Sequence, residues 1–173
     1  MTLSFPFAIS GFHAEPIELS ESFMETASRF AAIPGTVALM SGTGLDCARY
    51  HILGVKPWLT LTGRDQRLQV KIHDTIHHIA ANPFDVLRQI LRRFHFSALP
   101  SDFQIPIGAG LMGYFAYDLK DCLEKLPRTS VDDLGLPHIC LYAPSVILVQ
   151  DAVSRKIRMR PHLHRRRRID GFR

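Results

Sequence analysis

The stretch Gly108-Ala-Gly-Leu-Met-Gly-Tyr-Phe-Ala-Tyr-Asp118, followed by Cys122-Leu-Glu-Lys-Leu-Pro127 and Asp132-Asp-Leu-Gly-Leu-Pro137, decides how this chain is read. Gly108, Gly110 and Gly113 formally satisfy G-x-G-x-x-G. A dinucleotide fingerprint of that form follows the first strand of a βαβ unit and precedes a second strand ending in a ribose-binding acid. Here Pro100 and Pro106 come before it, no long apolar strand leads in, and no acid-tipped strand can be placed after it. The glycines instead read as points of close backbone packing where the chain enters a helix. On that reading Tyr114, Tyr117 and Leu123 are buried while Asp118, Lys120 and Asp121 are solvated.

Upstream, the local signals are clear. Ser22-Phe-Met-Glu25 has the form of a capping box, and Phe23, Met24, Ala27, Phe30 and Ala31 then supply an apolar helical face that ends near Pro34-Gly35. Asn82 is suited to cap a second helix, with Pro83 at its first position, Asp85 near its positive end, and Leu87, Ile90, Leu91 and Phe94 at helical spacing. Between these helices, residues 36–41, 49–54, 58–62 and 68–72 read as short strands, and Gly63-Arg-Asp-Gln66 as a hairpin turn. Beyond the third helix, residues 140–149 and 156–159 read as another hairpin, since Val146-Ile-Leu-Val149 is apolar and β-rich. Without regular βαβ alternation the expected class is α+β: strand-rich, a largely antiparallel sheet with about three helices.

Two blocks together carry a family resemblance. The first is Gly108 to Asp118 with Glu124-Lys-Leu-Pro127 and Asp133-Leu-Gly-Leu-Pro137. The second is Val37-Ala-Leu-Met-Ser-Gly42, Ala48-Arg-Tyr-His-Ile-Leu-Gly54, Lys56-Pro57 and Trp58-Leu-Thr-Leu-Thr62. In order and spacing they resemble the N-terminal region of the chorismate-utilising synthases, across most of residues 30 to 155. The branch most similar is component I of aminodeoxychorismate (para-aminobenzoate) synthase, with anthranilate synthase component I second. Ala109 departs from the family's paired glycine.

The resemblance implies an incomplete part of the synthase fold, with residues 1–153 as an N-terminal domain and 154–173 as a strand end and basic tail. Intact relatives aminate chorismate to 4-amino-4-deoxychorismate for para-aminobenzoate and folate biosynthesis, using magnesium and a glutamine amidotransferase subunit. The chorismate-binding catalytic domain lies outside this chain. No catalytic residue, metal ligand or cofactor is therefore expected within it, and the chain alone should be inactive. The alternatives are an anthranilate synthase fragment of tryptophan biosynthesis and a noncatalytic amino-acid-binding or regulatory module. The family's tryptophan pocket carries over to Ser41, Cys47, Ala48, Arg49 and Tyr50. Ser41 would hydrogen-bond an amino-acid polar group, Arg49 would pair with a carboxylate and Tyr50 would pack on an indole. Met40 stands where feedback-sensitive anthranilate synthases carry a glutamate, and it cannot compensate an ammonium. The competing reading makes Leu39 and Tyr50 core residues, Ser41 a partner of the backbone and Arg49 a surface ion-pair residue.

Composition narrows the remaining classes. A chain of 173 residues that is 46% hydrophobic can bury one sizeable core. No run approaches the roughly 18 to 20 apolar residues that cross a bilayer, and Met1-Thr-Leu-Ser-Phe-Pro6 lacks the basic start of a secretory signal, so a cytoplasmic location is expected. Cys47, Cys122 and Cys140 have neither disulfide nor zinc spacing and read as reduced thiols; His73, His77 and His78 read as solvated. The net charge is +5. Residues 155–173 hold nine basic side chains against Asp170 alone, a net of +8, which leaves −3 for the other 154 residues. The body is therefore not a basic nucleic-acid surface, and Arg165-Arg-Arg-Arg168 reads as a solvated terminus.

Overall fold

The computed structural model describes residues 7, 14–42, 48–94, 109–127 and 131–161, the last three by backbone alone. Eight strands form one antiparallel sheet: β1 (Glu15–Ile17), β2 (Val37–Leu39), β3 (Tyr50–Arg64), β4 (Arg67–Ile72), β5 (Thr75–Ala80), β6 (Met112–Phe115), β7 (Ile139–Asp151) and β8 (Ile157–Pro161). Two α-helices, α1 (Phe23–Phe30) and α2 (Pro83–Leu91), and a 3₁₀ helix over Tyr117–Cys122 complete it. This is the α+β class that the sequence implied.

β3 and β7 pair from Tyr50↔Asp151 to Gly63↔Ile139, and each lends its outer edge to two short strands. β2 and then β4 line β3, while β8 and β6 line β7. β1 extends the sheet beyond β8, and β5 beyond β4. The sequence suggested two strands, 49–54 and 58–62, where β3 is one that runs through Lys56-Pro57. Pro57 in fact sits opposite Pro144, and the register slips by one residue between Pro57 and Leu59. Two facing prolines cannot donate to the ladder, so the strand passes them through a bulge, with Lys56 at φ +53°.

Three apolar clusters pack on this sheet. Leu53, Val55 and Leu148 sit beneath Phe23 and Ala27 of α1. On the opposite side of the same strand segments, Ile52, Ile147 and Val149 pack with Met112. The largest cluster joins Leu59, Leu61, Leu68, Val70, Ile72, Ile139 and Leu141 to Val86 and Ile90 of α2 and to Phe7 against Trp58. Each fully buried aliphatic side chain contributes about 1.5–3 kcal/mol through removal from water.

The helix ends form as their sequences indicate. Ser22 Oγ accepts the Glu25 amide at 3.2 Å, and the Glu25 carboxylate accepts the Ser22 amide at 2.9 Å. Those hydrogen bonds hold the Glu25 carboxyl below its ordinary range. Asn82 Oδ1 caps α2 through the Phe84 amide at 2.9 Å. The helical faces differ in detail: Met24 and Leu91 are exposed, and Val86 takes a core place.

The decisive glycine stretch differs more. It forms a strand, β6, before the 3₁₀ turn, and Tyr114, Tyr117 and Leu123 are exposed while Leu119 is the buried residue. Gly110 has open space around it, but Gly113 is required: φ is +150°, and a Cβ there would lie 2.0 Å from the Cys140 carbonyl oxygen. Replacing Gly113 by Ala should therefore cost roughly 2–4 kcal/mol, a backbone clash with no flexible group to yield, whereas Gly110→Ala should stay within about 0.5 kcal/mol. Chemical denaturation of the two variants checks the contrast; equal midpoints would contradict it.

Candidate functional site

The residues carried over from the family's amino-acid pocket gather where β3 begins. Ser41 lies just past β2, and its hydroxyl donates to the Tyr50 carbonyl at 2.7 Å, which ties the end of one strand to the start of the next. Ala48 and Arg49 lead directly into β3. Cys47 lies outside the described residues. Met40 packs against the α1 cluster, as an apolar side chain should.

Arg49 is engaged twice. Its Nε and Nη2 donate to Asp151 Oδ2 at 3.2 and 3.1 Å, and its guanidinium lies 5.1 Å from the Tyr50 ring centroid. Asp151, at the end of β7, was not anticipated from sequence. Its other oxygen accepts the Val153 and Ser154 amides at 2.9 and 3.2 Å, capping the turn into β8. Partial burial works to raise the Asp151 carboxyl, but the Ser154 and Val153 amides and Arg49 outweigh it and hold it below the ordinary carboxylate range. The Arg49 guanidinium is raised by the same hydrogen bond and charge. Chemically, the site is a half-exposed guanidinium stacked on a phenol. A ligand carboxylate there would compete with Asp151.

A concave region lies under the family stretch. A cleft of about 640 Å³ is bordered by Tyr117, Asp118, Lys120, Leu126, Leu134 and His138, among others. His138 is buried between turns: its amide donates to the Gly63 carbonyl and its carbonyl accepts the Ala116 amide, each at 2.8 Å. Its Nδ1 lies 3.4 Å from both the amide and a carboxylate oxygen of Asp65, and its buried Nε2 has no hydrogen-bond partner among the described residues. Lys120 pairs with Asp121 at 2.6 Å, and Arg64 with Asp132. Sequence reading gave no reason to choose His138, since the residue follows Pro137 without any recognisable motif.

The thiols match the reduced reading. Cys122 and Cys140 are free, burial pushes the Cys122 thiol up, and the Cys140 thiol donates to the Tyr142 hydroxyl at 3.2 Å. That hydrogen bond and burial push Tyr142 up to about 12. Of the histidines, His73 and His78 are exposed, whereas His77 is half-buried with an unpartnered Nε2. Among the described residues no three His, Cys, Asp or Glu side chains are grouped to hold a metal ion. No helix among them is long and apolar enough to cross a membrane.

The Arg49–Asp151 pair predicts a pH signature. A carboxyl held low in the fold contributes stability above its unfolded pKa of about 3.9 and loses it as pH falls through the folded value. Asp151→Asn should thus cost roughly 1 kcal/mol at neutral pH, through the lost charge on the Arg49 and turn hydrogen bonds, and should approach the parent protein's stability as pH falls through the folded carboxyl's lowered pKa. Urea unfolding across pH 2–7 measures the difference; a constant gap would rule out the ionised role.

No protein-family model matches the chain. Among curated proteins it is 29% identical over 151 residues to anthranilate synthase component 1 of Acetivibrio thermocellus, covering 86% of this chain and 29% of that one. It is 34% identical over 128 residues to the same component of Cereibacter sphaeroides, covering 70% of this chain and 25% of that protein. To aminodeoxychorismate synthase component 1 of Salmonella typhimurium it is 33% identical over 110 residues, covering 63% and 24% respectively. The crystal structure of anthranilate synthase component I from Streptococcus pneumoniae shares the fold, with a TM-score of 0.50 at 21% identity over 79% of this chain and 28% of that one. The chain thus spans under a third of the length of these relatives. It is a homologue, over that span, of the component 1 subunits of the anthranilate and aminodeoxychorismate synthases.

Proposed function

We propose that this chain is the N-terminal portion of an aminodeoxychorismate synthase component 1 and is inactive by itself. The observation that carries the reading is the asymmetry of coverage: similarity runs over 86% of this chain but only 29% of its Acetivibrio relative. Several of the described carboxylates serve caps, turns and ion pairs: Glu25, Asp151, Asp85 and Asp121. In the complete assembly a chorismate-binding domain would supply the reaction centre and its magnesium, and a glutamine amidotransferase subunit would supply ammonia, in the cytoplasm. Residues 1–153 would form the domain, with 154–173 as its strand end and tail. Arg165 to Arg168 lie outside the described residues.

The branch assignment rests on the two sequence blocks; anthranilate synthase component 1 is the competing branch, favoured by a matched span of 151 residues against 136 and 110 for two aminodeoxychorismate synthases. The experiment is direct. Purified chain supplied with chorismate, magnesium and ammonia should give no aminated product, and product should appear when the remaining part of component 1 is added. Mass spectrometry then separates 4-amino-4-deoxychorismate from anthranilate. Turnover by the chain alone would overturn the reading.

An amino-acid-binding role is a second reading, favoured by the guanidinium of Arg49 stacked on Tyr50 beside Ser41 and Ala48, with Cys47 in the intervening segment. On this reading tryptophan would exchange its carboxylate for Asp151 on Arg49. Tryptophan at one hundred times its Kd should stabilise the chain by about 2.7 kcal/mol, and Arg49→Ala should abolish the shift in thermal midpoint. No shift at millimolar tryptophan would exclude the role.

A further inference from the structure

The β3–β4–β5 ladder has a polar face, turned away from the α2 cluster, whose composition is set by register. Thr62 pairs with Gln69 and Gln69 with His78; two residues along, Arg64 pairs with Arg67 and Arg67 with Ala80. Alternation along each strand puts these six side chains on one face, while Leu61, Leu68 and Val70 point to the core on the other. With Gly135 and Pro137 they border a cleft of about 570 Å³, the size of a small-molecule site. Asp132 fastens the wall that the loop provides. One oxygen of its carboxylate accepts the Gly135 amide at 3.0 Å and the other pairs with Arg64. Charge at this cleft is unbalanced. Arg64 and Arg67 stand directly opposite each other, a like-charged pair that disfavours the hairpin. Asp132 answers Arg64, but Arg67 has no ion-pair partner among the described residues, and no described carboxylate borders the cleft.

We infer that this cleft binds a small organic monocarboxylate, its carboxylate forked on the Arg67 guanidinium and its apolar body against Ala80 and Pro137. Two guanidiniums and one carboxylate leave a single positive charge uncompensated, which matches a monoanion rather than a phosphate dianion. A guanidinium holds a planar carboxylate through two parallel N–H donors, and a bound anion also relieves the repulsion between Arg64 and Arg67. Thr62, Gln69 and His78 offer further polar groups in the adjoining row. Asp132 is the internal rival, since it shapes the wall and at the same time withholds Arg64 from the ligand. The site uses only the hairpin, β5 and the 135–137 loop, so it does not depend on which synthase branch the chain belongs to.

The test is a chemical-shift titration of the whole chain with benzoate, run beside benzamide, its uncharged counterpart, and inorganic phosphate. Benzoate should give saturable shifts confined to residues 62–69, 78–80 and 135–137. Arg67→Ala should weaken that binding about ten-fold, and Arg67→Lys, which keeps the charge but loses the fork, about three-fold. Lys71→Ala removes a cation from the same face of β4 but outside this cleft, and should change binding less than about two-fold. Asp132→Asn keeps an acceptor for the Gly135 amide and releases Arg64, so it should strengthen binding about three-fold. Arg67 and Lys71 are exposed, and unchanged thermal midpoints confirm that the variants fold. An equal response to benzamide, or an equal loss in Lys71→Ala, overturns the inference by removing the specific role of Arg67. Tighter binding of phosphate than of benzoate overturns the monocarboxylate class, and no saturation at tens of millimolar benzoate overturns the site itself.

Discussion

The antiparallel pairing of β3 with β7 sets the frame on which each remaining strand is placed, because it supplies two outer edges long enough for four partners and both faces for the apolar clusters. The pairing brings residues nearly a hundred positions apart into register. It is an entropically costly closure, which the burial of Leu53, Leu59, Leu61, Ile139 and Ile147 offsets. The Pro57–Pro144 pair and its bulge divide that frame into a half that carries α1 and a half that carries α2.

The two sites depend on opposite ends of this frame. At one end the Tyr50↔Asp151 pair brings Arg49 to the carboxylate that caps the β7–β8 turn, so the guanidinium is held and neutralised by the sheet itself. At the other end the Gly63↔Ile139 pair brings the β3–β4 turn to His138, and β6 is drawn against Cys140 so closely that position 113 accommodates only glycine.

Local chemistry was legible where it needs only neighbours in sequence. Ser22 with Glu25, and Asn82 with Pro83, make their caps within a single helical turn, so the reading and the structure coincide. The strand pattern over 140–149 was equally clear, since a continuous β-rich apolar run has few other uses. The sequence missed β1 and β5 for a shared reason: each is an outer strand whose existence depends on one partner, β8 or β4. In β5 the adjacent His77 and His78 also obscure the alternation that would betray a strand.

For this protein, sequence alone determined the fold class, the helix caps and the likeness to the component 1 synthases, because each is written in short-range patterns or in the order of two motifs. Tertiary structure alone decided that Lys56-Pro57 bends one strand instead of ending it, that Arg49 answers to Asp151, and that Tyr114, Tyr117 and Leu123 face outward. Those outcomes turn on what lies opposite in space: a second proline, a distant carboxylate, and, for the outward side chains, the lack of a covering neighbour among the described residues.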